Sequence, residues 1–390
     1  MTVDATQIRD WLTKEALPLW SHAGLDTEAG GFVEKLTLDG RPILDVPKRT
    51  RVQARQIYVY SHAHLLDWTP PTGGPSALEA AYQGFDFLTQ QLWLEDGGFA
   101  FSVQRNGTHA DTRVDSYEQA FAIFAFAWHF RATGDVAAVE WAERTLAFLD
   151  DNFADIEHGG YFENATRDLP RRQNPHMHLL EALLAWHGAT GEDIWLRRAQ
   201  DIIALFKSRF FARETGTLGE FFDAEWSPAT GTMGKTVEPG HHFEWVWLLY
   251  KYAQASGDDI SQEAYALYKF AEAHGVDRNS GPASDIAFDS VLSHGTSLDE
   301  NKRLWVQTEA IKAQVARMEF ANDDQAAMRL EELLDRMFEL YFAVGHGNWQ
   351  DHLDVNGKGL AETAPASSFY HVFLALSEVL RVRDGIISLA

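Results

Sequence analysis

Cysteine is absent from the 390-residue sequence, which excludes disulfides, thiolate zinc sites and cysteine nucleophiles. The absence fits a reducing cytoplasm, where we expect the protein to work. Basic charge is scarce, because 33 Lys and Arg residues stand against 57 Asp and Glu residues and give a formal net charge of -24. No run of basic residues interleaves with aromatic ones, so nucleic acid and anionic membrane surfaces are poor partners.

Long apolar runs are also missing. No segment approaches the roughly 18 uninterrupted apolar residues that a membrane-spanning helix requires. The opening segment MTVDATQIRDWLTKEALPLW lacks the basic and then apolar pattern of a signal peptide. The glycine patterns of P-loop and Rossmann nucleotide sites and the GxSxG motif of hydrolases do not occur. We expect a cytoplasmic protein that acts on a small molecule, as a monomer or a homodimer, without a cofactor.

Helical periodicity and recurring glycines dominate what is present. Segments such as SYEQAFAIFAFAWHFRATG and MHLLEALLAWHGATG place apolar residues at helical spacing and stop at glycine. Short elements resembling GGFVEKL recur between helix pairs, at intervals of 59 to 67 residues; their markers are Gly31, Gly98, Gly160, Gly219, Gly281 and Gly347. Six helical hairpins in a closed ring would bury a continuous core. The repeat therefore predicts a single (α/α)6 barrel over residues 1–390, and an open helical array is the alternative.

Polar side chains recur about 18 to 24 residues after each glycine marker, at the start of an apolar helix. They are Arg55; Tyr117, Glu118 and Gln119; His176, His178 and Glu181; His241, His242 and Glu244; Trp305, Gln307 and Glu309; and His371. One such residue alone is usually a half-buried histidine or a carboxylate that the helix dipole favours. Recurrence in all six units favours a shared polar cavity, and one that also carries aromatic rings suits a sugar.

The adjacent histidines of PGHHFEW need to be distinguished. His178 with Glu181 and His241 with Glu244 share the spacing i, i+3, which places each pair on one helix face. Superposing the two pairs predicts that His241 faces the cavity, while His242 is turned by about 100° toward a neighbouring helix. His176, two residues before His178, stays open between the cavity and the wall.

A metal site and a charged substrate were two further hypotheses. His176 and His178 form an HxH pair, yet no HExxH or DxH pattern supports a tight cluster, so we expect no metal. A phosphorylated or sulfonated sugar would need an added basic group. Arg171, Arg172 and Lys235 are candidates for that group, although solvated side chains are the simpler interpretation.

Five motifs, in order along the whole chain, resemble the N-acylglucosamine 2-epimerase superfamily. They are ARQ at Arg55, NPHMHLLEA at His178, PGHHFEW at His241, LWVQTEA at Trp305 and FYH at His371. The paired HMH and the single-domain plan look most like the mannose isomerase and sulfoquinovose isomerase branch. The resemblance implies an (α/α)6 barrel that works without metal, by proton transfer at the sugar carbon next to the carbonyl.

The resemblance also implies roles for individual residues. His241 and His371 look like the acid/base pair, His178 like a group that assists ring opening, and Arg55 like the cation that stabilises the enediolate. Substrate-binding roles are implied or expected for Glu244, Trp305, Glu309, Gln307, Tyr117, Glu181 and His176. Because histidine titrates near neutrality and arginine stabilises an oxyanion, this set suits the reaction.

We predict an aldose-ketose isomerase that interconverts D-mannose and D-fructose, with D-lyxose and D-xylulose as further candidate substrates. The first alternative is a sugar 2-epimerase of the glucose/mannose, cellobiose or N-acylglucosamine type. The second is an (α/α)6 glycoside hydrolase that uses a carboxylate pair such as Glu118 and Glu309. A binding protein without catalysis is the third.

Overall fold

The computed structural model describes residues 3–71, 73–321 and 323–385, most of which are helical. The helices are α1 (Ala5–Asp10), α2 (Leu17–Ala23), α3 (Thr50–Leu65), α4 (Ala77–Phe87), α5 (Ser116–Thr133), α6 (Val136–Phe153), α7 (Asn174–Thr190), α8 (Asp193–Leu205), α9 (Pro239–Ser256), α10 (Ser261–His274), α11 (Leu304–Phe320), α12 (Asp324–Leu340) and α13 (Ala366–Asp384). A π-helical segment, Trp11–Ala16, joins α1 to α2, and similar segments extend α4 over Leu88–Leu92 and α8 over Phe206–Phe210.

Glycine and aspartate build the tight turns between paired helices. Gly134 ends α5 in the left-handed conformation, with φ 70°, and the side chain of Asp135 then accepts the backbone N–H of Ala137 to start α6. Gly191 and Gly257 end α7 and α9 in the same way. The helix stops predicted at the final glycines of SYEQAFAIFAFAWHFRATG and MHLLEALLAWHGATG are therefore confirmed.

The helices form two concentric layers. The inner helices α3, α5, α7, α9, α11 and α13 pack side by side, and α13 returns to pack against α3. Each of α4, α6, α8, α10 and α12 packs outside the inner helix that precedes it, whereas α1 packs outside α13. The sixth hairpin is thus assembled from the two ends of the described chain, and the predicted (α/α)6 ring is confirmed. Large apolar side chains, among them Trp20, Trp186 and Trp245, are fully buried within it.

Short strands lie at the end of the ring where the inner helices begin. They are β1 (Lys35–Thr37), β2 (Lys48–Arg49), β3 (Ser102–Val103), β4 (His109–Asp111), β5 (Arg171–Arg172), β6 (Phe211–Ala212), β7 (Thr217–Leu218), β8 (Phe221–Phe222), β9 (Thr236–Val237), β10 (Ser290–Leu292), β11 (Ser297–Asp299), β12 (Lys302–Arg303), β13 (His352–Leu353) and β14 (Thr363–Pro365). Neighbouring units are joined by antiparallel pairs, namely β2–β3, β5–β8, β9–β10, β12–β13 and β14–β1. A bond from Ser116 N to Glu163 O, 2.9 Å, links the second unit to the third.

In most units, one side chain in the first turn of the inner helix forms hydrogen bonds with the backbone of that unit's glycine element, and we call this contact a clasp. Gln53 accepts the backbone N–H of Phe32 at 2.7 Å and donates to its carbonyl at 2.9 Å. Equivalent clasps join Gln119 to Phe99, His176 to Tyr161, His242 to Leu218 and Gln307 to Ala287. In the sixth unit, the aromatic ring of Phe369 packs on that of Trp349 instead, with 5.6 Å between centroids.

The clasps fix the alignment between units and correct the superposition made from sequence. They align His176 with His242, and therefore His178 with Glu244 rather than with His241. Two residues after each clasp position stand Arg55, Phe121, His178, Glu244, Glu309 and His371. Because two residues are about half a helical turn, this set faces away from the glycine element and toward the ring axis.

The glycine marker of the fifth unit is also shifted. In the first and third units, the carbonyls of Gly31 and Gly160 accept a backbone N–H from Asp26 and Asp155. In the fifth unit the corresponding acceptor is Ile286, and the preceding Asp285 has a φ of 64°. Asp285, rather than Gly281, supplies the left-handed turn there, since aspartate tolerates that conformation better than most residues.

Candidate active site

His371 on α13 and Glu309 on α11 form the shortest histidine–carboxylate contact in the cavity. His371 Nδ1 lies 2.7 Å from Glu309 Oε1, and Lys312 Nζ lies 2.7 Å from Glu309 Oε2. Glu309 and Lys312 are fully buried and His371 is 5% exposed. Burial and the charge of Glu244 raise the pKa of Glu309, and the Lys312 ammonium opposes that rise. Lys312 therefore helps to keep Glu309 a hydrogen-bond acceptor, with His371 Nε2 left for a substrate.

His241, at the start of α9, and His371 both lie next to the indole of Trp305. The ring centroid of His241 is 5.2 Å from that of Trp305, and the centroid of His371 is 5.8 Å from it. His241 Nδ1 lies 2.9 Å from a carboxylate oxygen of Glu220, while Nε2 lies 3.2 Å from Nδ2 of the Asn174 amide. The half-buried indole of Trp305 is thus in contact with two imidazoles.

His178, Glu181 and Glu244 form a second cluster in the cavity, on α7 and α9. His178 Nδ1 is 3.2 Å from Glu181 Oε2 and 3.9 Å from Glu244 Oε1. The hydroxyl of Tyr370 donates to Glu181 at 2.5 Å. Glu244 Oε1 is buried without a hydrogen-bond partner among the described residues. This oxygen is therefore available to a donor that enters the cavity.

Arg55 is held by neighbouring helices and aromatic rings. It donates from Nη2 to the hydroxyl of Tyr117 at 3.0 Å and from Nη1 to the carbonyl of Ser367 at 3.2 Å. Its guanidinium lies 4.3 Å from the ring centroid of Phe121 and 5.1 Å from that of Tyr370. Within the described chain no carboxylate forms an ion pair with Arg55, so its charge is available to an oxyanion.

Electrostatics separate the two histidines beside Trp305. Burial lowers the pKa of His371 well below its usual range, and Arg55, Lys312 and the other cavity histidines lower it further. Burial also opposes charge on His241, but the carboxylates of Glu220, Glu238 and Glu244 raise the pKa of His241 to about 10. At neutral pH the site therefore combines a neutral imidazole with a protonated one.

The structure brings most of the sequence-predicted residues together and sets five aside. Arg55, Tyr117, His178, Glu181, His241, Glu244, Trp305, Glu309 and His371 are linked by the contacts above. Four residues, Gln119, His176, His242 and Gln307, use their polar atoms to clasp backbone, so none of the four is proposed as a sugar ligand. The fifth, Glu118, pairs with Arg51.

Four residues of the site were missed from sequence: Asn174, Glu220, Lys312 and Tyr370. Asn174 and Tyr370 stand beside predicted residues within the motifs NPHMHLLEA and FYH, and a search of whole motifs would have included them. Lys312 follows Glu309 by three residues, a spacing that places both on one helix face. Glu220 lies 21 residues before His241, in a glycine element, and no periodicity connects the two.

Three groups in the cavity have ligand atoms close enough together to hold a metal ion. They are His178, Glu181 and Glu244; Glu220, Glu238 and His241; and Glu244, Glu309 and His371. In each group the histidine Nδ1 already faces a carboxylate, so a metal would have to replace that hydrogen bond or use Nε2. The expectation of a metal-free site stays a prediction.

The basic residues considered for a charged substituent lie elsewhere or are already paired. Arg171 is fully buried and contacts Asp155 at 2.6 Å. Arg172 pairs with Glu163 at 2.5 Å, and Lys235 is exposed.

Comparisons with known proteins agree with this architecture. The profile of the N-acylglucosamine 2-epimerase (GlcNAc 2-epimerase) family matches residues 30–375. The chain is 34% identical to a mannose-6-phosphate isomerase of Rhizobium meliloti, over 97% of both chains. It is 28% identical to a D-mannose isomerase of Thermobifida fusca, over 89% of this chain and 87% of the relative. A cellobiose 2-epimerase of Ruminococcus albus is 24% identical over 82% of each.

Solved structures show the same fold. A D-mannose isomerase superposes with a TM-score of 0.84 and 22% identity, covering 96% of this chain and 97% of that one. A cellobiose 2-epimerase from Bacillus thermoamylovorans has a TM-score of 0.85 and 20% identity, covering 97% and 99%. A GH76 α-mannanase from Bacteroides thetaiotaomicron is more distant, with a TM-score of 0.67 and 14% identity, covering 98% and 97%.

No helix in the described ranges is long and apolar enough to cross a membrane. The profile match over most of the chain and the relative that is 34% identical along nearly its full length lead to one conclusion. This chain belongs to the N-acylglucosamine 2-epimerase family and is a sugar isomerase or epimerase.

Proposed function

We propose that the protein is an aldose-ketose isomerase that interconverts D-mannose and D-fructose, with D-lyxose and D-xylulose as further substrates. The observation that carries the proposal is the pair of imidazoles beside Trp305, whose surroundings shift their pKa values in opposite directions, downward for His371 and upward for His241. Deprotonation next to a carbonyl needs a neutral base near the carbon and an acid near the oxygen. His371 supplies the base and His241 the acid.

The reaction proceeds in proton-balanced steps. His178 assists opening of the sugar ring, and His371 Nε2 then removes the proton from C2. The electron pair moves through C2–C1 onto the carbonyl oxygen, where Arg55 stabilises the enediolate and His241 donates a proton. Transfer of a proton from O2 to His241, together with return of the first proton from His371 to C1, completes the ketose. Trp305 stacks on the sugar, and Glu244 accepts from a sugar hydroxyl.

The first alternative is 2-epimerisation, which returns the proton to the opposite face of C2. Cellobiose 2-epimerases are among the relatives and the structural neighbours, and they favour this alternative. The relative at 34% identity is named as an isomerase and supports the proposal. Incubation of D-mannose with enzyme in heavy water, followed by NMR of the sugars, tests it. We expect fructose, with deuterium at C1 in those molecules for which the proton on His371 exchanges with the solvent before it returns; glucose without fructose would contradict isomerisation.

A neutral sugar is proposed in preference to a phosphorylated one. Three arginines surround an opening of about 490 Å³ that Tyr117 and Asn174 also line. Each guanidinium is paired with a carboxylate, in the pairs Arg51–Glu118, Arg113–Asp111 and Arg172–Glu163. Because these pairs neutralise the arginines, a dianionic phosphate gains little net attraction there. Mannose and mannose 6-phosphate should be assayed side by side, and a higher kcat/KM for the phosphate would overturn this choice.

Hydrolysis is less well supported than isomerisation. Glu118 is fully buried and accepts from the backbone N–H and the guanidinium of Arg51. Glu309 lies between His371 and Lys312. Neither carboxylate is free to protonate a glycosidic oxygen or to activate water.

A folded protein that turns over none of a panel of aldoses would instead support the alternative of a binding protein without catalysis.

A further inference from the structure

Glu220 lies between β7 and β8, in the glycine element of the fourth unit, and reaches the cavity from outside the inner helices. It is 3% exposed. One carboxylate oxygen, Oε2, lies 2.9 Å from His241 Nδ1 and accepts from Gln173 Nε2 at 3.0 Å. The other oxygen accepts from the backbone N–H of Glu238 at 3.3 Å. Three groups from two chain segments, the start of α7 and the start of α9, therefore hold the carboxylate in one position.

The support behind Glu220 is itself fixed. Gln173 accepts from the indole N–H of Trp245 at 2.8 Å, so its amide can present only Nε2 to Glu220. The backbone N–H of Gln173 also donates to the carbonyl of Glu220 at 3.3 Å. A buried, fully engaged network of this kind orients its members with little freedom.

All three cavity histidines share one arrangement, in which Nδ1 faces a glutamate. The distances are 3.2 Å for His178 with Glu181, 2.7 Å for His371 with Glu309 and 2.9 Å for His241 with Glu220. The first two glutamates stand on inner helices, whereas Glu220 comes from the glycine element. Glu220 occupies the repeated loop position from which Glu34, Glu163 and Asp289 also accept a backbone N–H at the start of an inner helix, and it differs from them because it contacts one of the three cavity histidines.

Charged groups approach His241 from several elements. Glu238 Oε2 lies 3.6 Å from Nδ1 of His241, and Glu244 lies on the same helix as His241. His371 contacts the indole of Trp305, as His241 does. Arg303 and Asp289 act on Glu238 with opposite signs. Among all of them, Glu220 makes the shortest contact with the imidazole, and its charge is the largest influence that raises the pKa of His241.

We propose that Glu220 is a positioning residue, which holds His241 with Nδ1–H directed away from the sugar and keeps the ring protonated so that it acts as the acid. The inference rests on the proposed function for its catalytic meaning, but the state of His241 is measurable without any substrate. The carboxylate acts through His241 and does not touch the sugar.

Glu220→Gln tests the role, because glutamine is nearly isosteric and lacks the charge. We expect kcat to fall by on the order of 100-fold or more, as when the group that orients a catalytic histidine is neutralised, with a much smaller change in KM. The basic limb of the kcat/KM–pH profile, which reports the free enzyme, should move from about pH 10 toward neutrality. Glu225→Gln, at an exposed carboxylate in the same glycine element, is the matched control and should leave kcat and both limbs unchanged.

Nitrogen-15 NMR of the histidine side chains separates this inference from the proposed function. In the substrate-free wild-type protein the His241 ring should be cationic at pH 8, and in Glu220→Gln it should titrate at lower pH. A neutral His241 ring at pH 8 in the wild type would overturn the inference, even if the variant failed to fold. An unchanged His241 titration in a folded Glu220→Gln variant would overturn it equally. If the titration moves as expected but no sugar is isomerised, the inference stands and the proposed function fails.

Discussion

Glu309 on α11 lies 2.7 Å from Nδ1 of His371 on α13, and this contact joins two neighbouring inner helices across the cavity wall. It leaves Nε2 as the only ring nitrogen of His371 that can reach a substrate. Since burial lowers the pKa of His371 and favours the neutral ring, the contact leaves the proposed base with one reactive atom.

His371→Ala removes that base. We expect kcat to fall by about 10²- to 10⁴-fold, the usual contribution of a positioned proton-transfer group, with the fold retained by circular dichroism. His109→Ala, an exposed histidine on β4, serves as control and should keep wild-type activity. Activity that survives in His371→Ala but disappears in Glu309→Gln would favour the glycoside hydrolase instead.

Replacement by glutamine should reduce kcat strongly at His241 and leave it nearly unchanged at the neighbouring His242. His242 clasps Leu218, and glutamine does the same task in three other units, so His242→Gln should keep kcat within about threefold. His241→Gln should lose activity by about 100-fold or more, because the amide cannot donate a proton as an imidazolium does.

The clasp made by His242 should also contribute to the stability of the fold. His242→Ala leaves a buried backbone N–H without a partner and should lower the free energy of unfolding by about 1 to 3 kcal/mol. Comparing His242→Ala with His242→Gln in thermal unfolding checks this. Equal destabilisation by both would show that the clasp hydrogen bond has no part in stability.

The pH dependence of kcat/KM, which reports the ionisation of the free enzyme, should show a wide plateau. The lowered pKa of His371 means that its neutral form persists to low pH, so the acid limb should lie below the ordinary histidine range near 6.5. The pKa of His241, raised to about 10, means that its protonated form is lost only above that pH. Initial rates between pH 4 and pH 11 measure both limbs. A single limb near pH 6.5 would contradict the opposite shifts.

Two glycines with nearly the same backbone conformation offer a matched test of the glycine elements. Gly160, with φ 72°, has Leu205 Cδ2 and His176 Nε2 at 2.6 and 2.7 Å from where a Cβ would stand, whereas Gly191, with φ 70°, has nothing within 4 Å. Alanine at Gly191 should cost about 1 to 2 kcal/mol from strain alone. Alanine at Gly160 should cost about 1 to 3 kcal/mol more, because it displaces packed atoms. Similar unfolding midpoints for the two variants would contradict a tight role for Gly160.

The ring and most of the site could be predicted because both are periodic. Helical periodicity, glycine stops and the recurring glycine elements require no knowledge of distant contacts, and the family motifs contributed the expected roles of Arg55 and His371. Sequence failed where equivalence between units is set by hydrogen bonds. His178 and His241 share a spacing to glutamate, yet the clasps of His176 and His242 show that they occupy different positions. Glu220 was missed because its contact with His241 depends on how the glycine element of the fourth unit packs against the start of α9.

The closing hairpin, built from α1 and α13, makes the proposed catalysis depend on the completed circle. Arg55 stands on the first inner helix and His371 on the last, and the carbonyl of Ser367 on α13 accepts from Arg55. Opening the seam between α3 and α13 would separate the proposed base from its oxyanion partner. A mutation that loosens α13 on α3 should therefore lower activity before most of the helices unfold.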